Sequence, residues 1–276
     1  MAEKISFPVD TPSGPRTATV VYERLGGGEP MVLLHGIGHH LQVWDPVVGL
    51  LAAEHDVIAV DLPGFGLSPG LPGGISYDLK GVVPVLGALF EALGLDRPHV
   101  VGNSLGGLIA LELGHRKLVR SVTALSPAGF WTPGERLWAY AVLRALRTGA
   151  ERLPEPTVAR MARTAAGRAA LVGAIYARPG RRSPDALVAE SRALREATGF
   201  EATLAAGRSL LYAHDVPDVP VTVAWGTRDR LLLRRQGVRA KKLIPGARLV
   251  RLPGCGHVPM NDDPALVARV ALDTSR

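Results

Sequence analysis

Apolar residues along the chain fall into two kinds of run. Short continuous runs at 31–34, 56–60, 119–125 and 221–225, with Val100-Val101, have the length and β-branched content of strands buried on both faces, and Arg248 to Leu252 reads as a further strand. Between them, apolar residues recur at helical spacing, as at Leu79, Val82, Val83, Leu86, Leu89, Phe90 and Leu93. That spacing predicts a helix over 77–93, with Pro84 as a kink and Gly94 as its end. Helices are also predicted at 44–53, after Ser104, within 231–243, and from about Pro264. Two alternating runs, 5–9 and 17–24, flank Asp10-Thr11-Pro12-Ser13-Gly14-Pro15 and read as a hairpin. Strand and helix in alternation predict an α/β fold with a mostly parallel sheet covered on both faces.

From about 130 to 212 the pattern changes. Strand-like runs vanish, and Ala, Leu and Arg recur at helical spacing, interrupted by Pro154, Pro156, Pro179, Gly180 and Pro184. Residues 128–212 hold thirteen Arg, no Lys and seven acids, so this segment carries most of the formal charge of +7. It reads as an all-helical insertion.

At 276 residues, 47% hydrophobic and 21% charged, the chain has the composition of a soluble globular protein with a sizeable core. Residues 1–10 lack an apolar signal-peptide core and no run approaches the ~18 apolar residues of a membrane span. A cytoplasmic location without membrane association is expected. The basic residues are dispersed and lack interleaved aromatics, which argues against nucleic acid as a partner. Cys255 is the single cysteine, so an internal disulfide and a multi-cysteine metal site are both excluded. No phosphate-binding Gly-rich loop follows the first strands and no ligand set has metal spacing, so neither cofactor nor metal is expected.

The candidate chemistry lies where predicted strands end. Val100-Val101-Gly102-Asn103-Ser104-Leu105-Gly106-Gly107 is strand, sharp turn, helix. Gly102 and Gly106 suit a turn too tight for flanking side chains, and the helix that follows directs free N–H groups at charge developing beside Ser104. A serine hydroxyl needs a base. His257, after the run at 248–252, can take its proton, and Asp229, after the run at 221–225, can hold the imidazole tautomer. Strand carboxyl ends in an open α/β sheet share one rim, so Ser104, Asp229 and His257 can meet. Ser126-Pro127-Ala128, after the preceding strand, supplies no alternative carboxylate.

Five pieces carry a resemblance: His35-Gly36-Ile37-Gly38, Asp61-Leu62-Pro63-Gly64-Phe65-Gly66, the Gly102–Gly106 turn, Trp225-Gly226-Thr227-Arg228-Asp229 and Gly254-Cys255-Gly256-His257. In this order they resemble the α/β-hydrolase superfamily over nearly the whole chain. The resemblance implies an eight-stranded, mostly parallel sheet flanked by helices, with a core of 1–127 and 213–276 and a helical cap at 128–212 inserted after the sixth strand. It further implies an oxyanion hole built from the backbone N–H groups of Ile37 and Leu105. Dehalogenating and epoxide-opening members carry an Asp nucleophile where this chain has Ser104. C–C hydrolases of the meta-cleavage type are similar around Asn103-Ser104, but generally have Gly-Pro-Gly where this chain has Gly38-His39-His40, and an aromatic where it has Val258. The expected activity is therefore hydrolysis of a carboxylic ester of a small apolar molecule, with C–C hydrolysis of a vinylogous diketone as the alternative. A ligand receptor on a hydrolase scaffold is the non-enzymatic alternative. His39, Trp131, Trp138 and Val258 are candidate substrate contacts, although loop histidines such as His39 and His40 more commonly face solvent.

Overall fold

In the computed structural model, which describes residues 2–276, the strand segments pair into one eight-stranded sheet. The strands are β1 (Glu3–Val9), β2 (Arg16–Gly26), β3 (Pro30–Leu34), β4 (Asp56–Val60), β5 (His99–Asn103), β6 (Ser121–Leu125), β7 (Val221–Gly226) and β8 (Arg248–Leu252). Their order is β1-β2-β4-β3-β5-β6-β7-β8. β2 runs antiparallel to β1 and to β4, and every other pair is parallel. The register places Leu34 beside Gly102, Asn103 beside Leu125, and Gly226 beside Leu252. The carboxyl ends of β3, β5, β6, β7 and β8 thus form one rim, from which the loops bearing Ser104, Asp229 and His257 depart.

β4, β5, β6 and β7 are buried at every residue, which is why their sequences are apolar without alternation. Helices α1 (Asp45–Leu51), α2 (Leu79–Ala92) and α3 (Leu105–His115) alternate with the first strands. Asp78 caps α2 by accepting from the Gly81 N–H at 2.9 Å. Pro84, expected to kink the helix, sits inside an unbroken α2. α3 is buried from Gly106 to Gly114.

Between β6 and β7 lie five helices: α4 (Pro133–Arg152), α5 (Glu155–Ala162), α6 (Ala165–Val172), α7 (Pro184–Glu196) and α8 (Phe200–Ala206). α4 begins with Pro133 at its first turn and a reciprocal cap between Thr132 and Glu135. The Glu135 carboxylate also pairs with Arg235 and Arg239, fixing the start of α4 to the core. Three helices close the chain: α9 (Arg235–Leu243), α10 (Pro259–Asp262) and α11 (Pro264–Ser275). α9 starts later than the apolar pattern suggests because Leu231 and Leu232 are buried in the preceding loop, and α10 is a single turn too short to leave a periodic signal. No helix among the described residues is long and apolar enough to cross a membrane.

Candidate active site

Ser104 joins β5 to α3 with φ 56° and ψ −111°, a conformation that L-residues rarely adopt and that lifts its side chain off the strand. The turn is tight enough to require glycine on both sides. A Cβ on Gly102 would lie 2.1 Å from the Gly106 carbonyl oxygen, and one on Gly106 would lie 2.0 Å from that of Leu34. Hydrogen bonds hold the strained residue in place: the Ser104 N–H donates to Leu125 O at 3.0 Å, while its carbonyl accepts from the N–H groups of Leu108 and Ala128 at 3.0 and 3.1 Å.

The loop after β3 passes beside this turn, where a Cβ on Gly36 would sit 3.2 Å from Ser104 Cβ. Among the described residues, the Ile37 and Leu105 N–H groups have no acceptor, so two free donors flank Ser104. His35 fixes this loop. Its Nε2 accepts from the Leu62 N–H at 3.0 Å, which leaves Nδ1 protonated to donate to Gly36 O at 2.7 Å. Burial lowers the His35 pKa to about 3, so this neutral tautomer persists into acid. On the next loop, Asp61 accepts from the N–H groups of Leu41 and Leu67 at 2.6 and 2.8 Å, and burial raises its pKa to about 6.

Asp229 and His257 meet below the same rim. His257 Nδ1 lies 2.9 Å from Asp229 Oδ2, with side-chain exposures of 4% and 0%. Asp229 Oδ1 accepts from the Leu231 and Leu232 N–H groups at 2.9 and 2.8 Å, so the carboxylate is aimed by its own loop. With Nδ1–H given to Asp229, His257 Nε2 carries the free lone pair. The histidine loop is anchored on three sides. Asn103 Nδ2 donates to His257 O at 2.9 Å; Ile175 O accepts from the N–H groups of His257 and Val258 at 2.8 and 3.1 Å; and fully buried Asp262 accepts from Gly256, Ala177 and Arg178 N–H groups at 2.7, 3.0 and 2.7 Å.

Ser104 and His257 both line a cavity of about 180 Å³ beneath the inserted helices. Leu143, Met161, Leu171, Leu187 and Leu194 supply much of its wall, and neither Lys nor Arg lines it. A smaller apolar cavity, about 50 Å³, also reaches Ser104 and is lined by Ile37, Leu105, Trp131 and Tyr140 among others. The candidate substrate contacts separate accordingly. His39 lines the first cavity and Trp131 the second, the latter's indole N–H donating to Leu210 O at 3.0 Å.

Two candidates are displaced. Trp138 is 53% exposed on the outer face of α4 and donates to Arg230 O at 2.9 Å. Helical periodicity marks a face but cannot say which face of α4 looks inward. Val258 is buried without lining either cavity, because its backbone is drawn onto Ile175. Nor do His39 and His40 face solvent: His39 Nδ1 and His40 Nε2 are both buried, since the insertion covers their loop.

Sequence reasoning left His35, Asn103 and Asp262 without a role. Asn103 lay inside the Gly-x-Ser-x-Gly turn, and His35 headed a quoted motif. Asp262 carries no local signal, because two of its three donors come from the distant 177–178 segment.

A model of the alpha/beta hydrolase family matches residues 31–270. Pimeloyl-[acyl-carrier protein] methyl ester esterase of Aeromonas hydrophila is 31% identical over 255 residues, which cover 89% of this chain and 95% of the relative. Among solved structures, a thermophilic esterase from Thermogutta terrifontis superposes with a TM-score of 0.76 at 19% identity, over 98% of this chain and 97% of that one. The meta-cleavage product hydrolase of Pseudomonas fluorescens IP01 gives 0.71 at 19% identity, over 93% and 94%. At these identities the structures speak for the fold alone. The order of the sheet, the turn at Ser104 and the family match agree: this chain belongs to the α/β hydrolase family.

Proposed function

We propose that the protein is a serine hydrolase of carboxylic esters of small apolar molecules, with Ser104 as nucleophile, His257 as base, Asp229 as its orienting carboxylate and residues 128–212 as a cap. The observation that carries this reading is the convergence on one cavity of strained Ser104, His257 paired with Asp229, and the unengaged N–H of Ile37 beside that of Leu105. Ser104 Oγ attacks the ester carbonyl while its proton passes to His257 Nε2. The carbonyl oxygen gathers negative charge between the Ile37 and Leu105 amides. As the tetrahedral species collapses, His257 returns the proton to the departing alkoxide and an acyl-Ser104 ester remains. Water, deprotonated by His257, attacks that ester; the acid leaves and Ser104 regains its proton.

The similarity to an esterase across nearly its full length supports ester cleavage. So does the cavity wall, which offers no cation to a substrate carboxylate of the kind a ring-fission dienoate carries. The test is turnover of p-nitrophenyl esters of two to eight carbons, with loss of turnover in Ser104→Ala. Intact esters together with cleavage of a ring-fission dienoate would replace this reading with C–C hydrolysis; tight ligand binding without either reaction would replace it with a receptor.

A further inference from the structure

Apart from Asn103, Ser104 and His257, the polar residues on the wall of the larger cavity are His39 and, on α7, Glu190 and Ser191. Glu190 is 5% exposed, and its two oxygens are treated differently. Oε1 accepts from Arg182 Nε at 2.6 Å and from the Tyr176 hydroxyl at 3.0 Å. Oε2 is buried and, among the described residues, has no donor. His39 Nδ1 is likewise buried and without a partner, its ring set edge-on to Tyr176 at 6.5 Å. A buried carboxylate oxygen left unpaired is costly, so on a residue that lines the cavity it calls for a donor from the ligand.

We propose that Glu190 Oε2 and His39 form a polar subsite that binds a hydroxyl group carried by the substrate remote from the scissile carbonyl. This rests on the hydrolase reading only in taking that carbonyl to lie at Ser104.

Charge narrows the ligand class to a neutral donor. Arg182 already balances Glu190, with side-chain exposures of 6% for both, so the subsite has no net charge to draw an ammonium group. A carboxylate would meet the lone pairs of Oε2. Burial holds the His39 imidazole well below the ordinary histidine range, so it stays neutral and offers one donor and one acceptor, the pairing a hydroxyl can satisfy from both sides. Arg182 also donates to Gln42 O at 3.0 Å, tying the subsite to the segment that follows His39.

The test compares p-nitrophenyl esters of seven to nine carbons bearing either a hydroxyl or a ketone on the penultimate carbon, a pair matched in size but differing in the donor. The hydroxy ester is expected to have the higher kcat/KM, by about tenfold at the best-fitting length, as for one hydrogen bond to a charged acceptor. Glu190→Gln puts an amide donor where Oε2 stood, and should bring the ratio to one or invert it in favour of the ketone. A merely structural defect would lower both rates together. His39→Leu leaves the Arg182–Glu190 pair intact and should also reduce the ratio, which keeps the test decisive if Glu190→Gln does not fold.

Calorimetry of the corresponding methyl esters with Ser104→Ala protein reads the subsite without turnover. Hydroxyl-selective binding with no hydrolysis by the wild type would uphold the subsite and overturn the hydrolase reading. Hydrolysis with a ratio of one at every length, or a ratio that neither variant moves, would overturn the subsite alone.

Discussion

Strands β4 to β7 are buried at every residue, whereas of the twenty residues of α4 only Glu135, Ala139 and Ala150 are buried, and α6 has none. The two regions meet across the cavity at Ser104 and are built on different principles. The sheet rim holds its groups by backbone geometry: a left-handed Ser104, glycines with no room for a methyl group, and a carboxylate aimed by its own loop. The insertion holds its shape by a few buried polar ties, Glu135 with Arg235 and Arg239, Glu190 with Arg182, and Asp262 with the 177–178 backbone. Reaction geometry is therefore fixed by the core and cavity shape by side chains that can change with less damage to the fold.

Substitutions on the two sides should differ in kind. On the rim, Ser104→Ala should cost on the order of 10⁶ in kcat and Asp229→Asn about 10⁴, with circular dichroism and substrate binding largely retained. An Asp229→Asn variant near full rate would mean that another carboxylate serves His257.

At the seam between the regions, Asp262→Ala leaves one buried and two part-buried N–H groups without their acceptor and should lower stability by roughly 3 kcal/mol, read from urea unfolding. Because those donors include Gly256, next to His257, kcat should fall about tenfold even where the protein is fully folded. A variant that loses stability with kcat intact would show the rim to be independent of the insertion.

A smaller effect should appear in the pH dependence of stability. His35, with a folded pKa near 3, stabilises above the ordinary histidine value of 6.5 and loses that contribution as pH falls toward 3, because only the unfolded chain takes the proton. Asp61, raised from 3.8 to about 6, has the opposite sign: its contribution is present below 3.8 and lost as pH rises through 6. Between pH 6 and 4 the two slopes oppose each other. Asp61→Asn should therefore steepen the loss of stability on acidification over this window, and His35→Asn should flatten it. Denaturant midpoints at pH 7, 6, 5 and 4 would measure both, and equal slopes in all three proteins would refute the assignment.

The smallest effect belongs to the outer face of the insertion. Arg192→Ala breaks an exposed pair with Glu155 and should change stability by less than ~1 kcal/mol, with kcat/KM unaltered.

The same contrast explains what could be read from the chain. The rim is written in local patterns: a strand, a glycine-bearing turn, and Ser104, Asp229 or His257 within a few residues of the strand end. α3, buried from Gly106 to Gly114, has no polar face to mark it and is legible from its place directly after the turn. The insertion is legible as helices but not as a surface. Trp138 and Leu143 lie on the same α4, yet one faces outward and the other lines the cavity, and composition does not distinguish them. Glu190 and Asp262 look like ordinary solvated acids in sequence. Their burial depends on partners whose register with them appears only after folding, the Ala177 and Arg178 amides some 85 positions away in the case of Asp262.

The Asp262 tie also bears on modularity. If residues 128–212 act as the proposed cap, exchanging them as a cassette between relatives would be a way to transplant substrate range, since the segment lies wholly between β6 and β7. Yet the acceptor for the 177–178 amides belongs to the recipient, as do the arginines that grip Glu135. A grafted segment would arrive without its fasteners unless positions 235, 239 and 262 travelled with it. The unit of inheritance for the pocket is therefore larger than the contiguous insertion, and includes three residues from the far end of the chain.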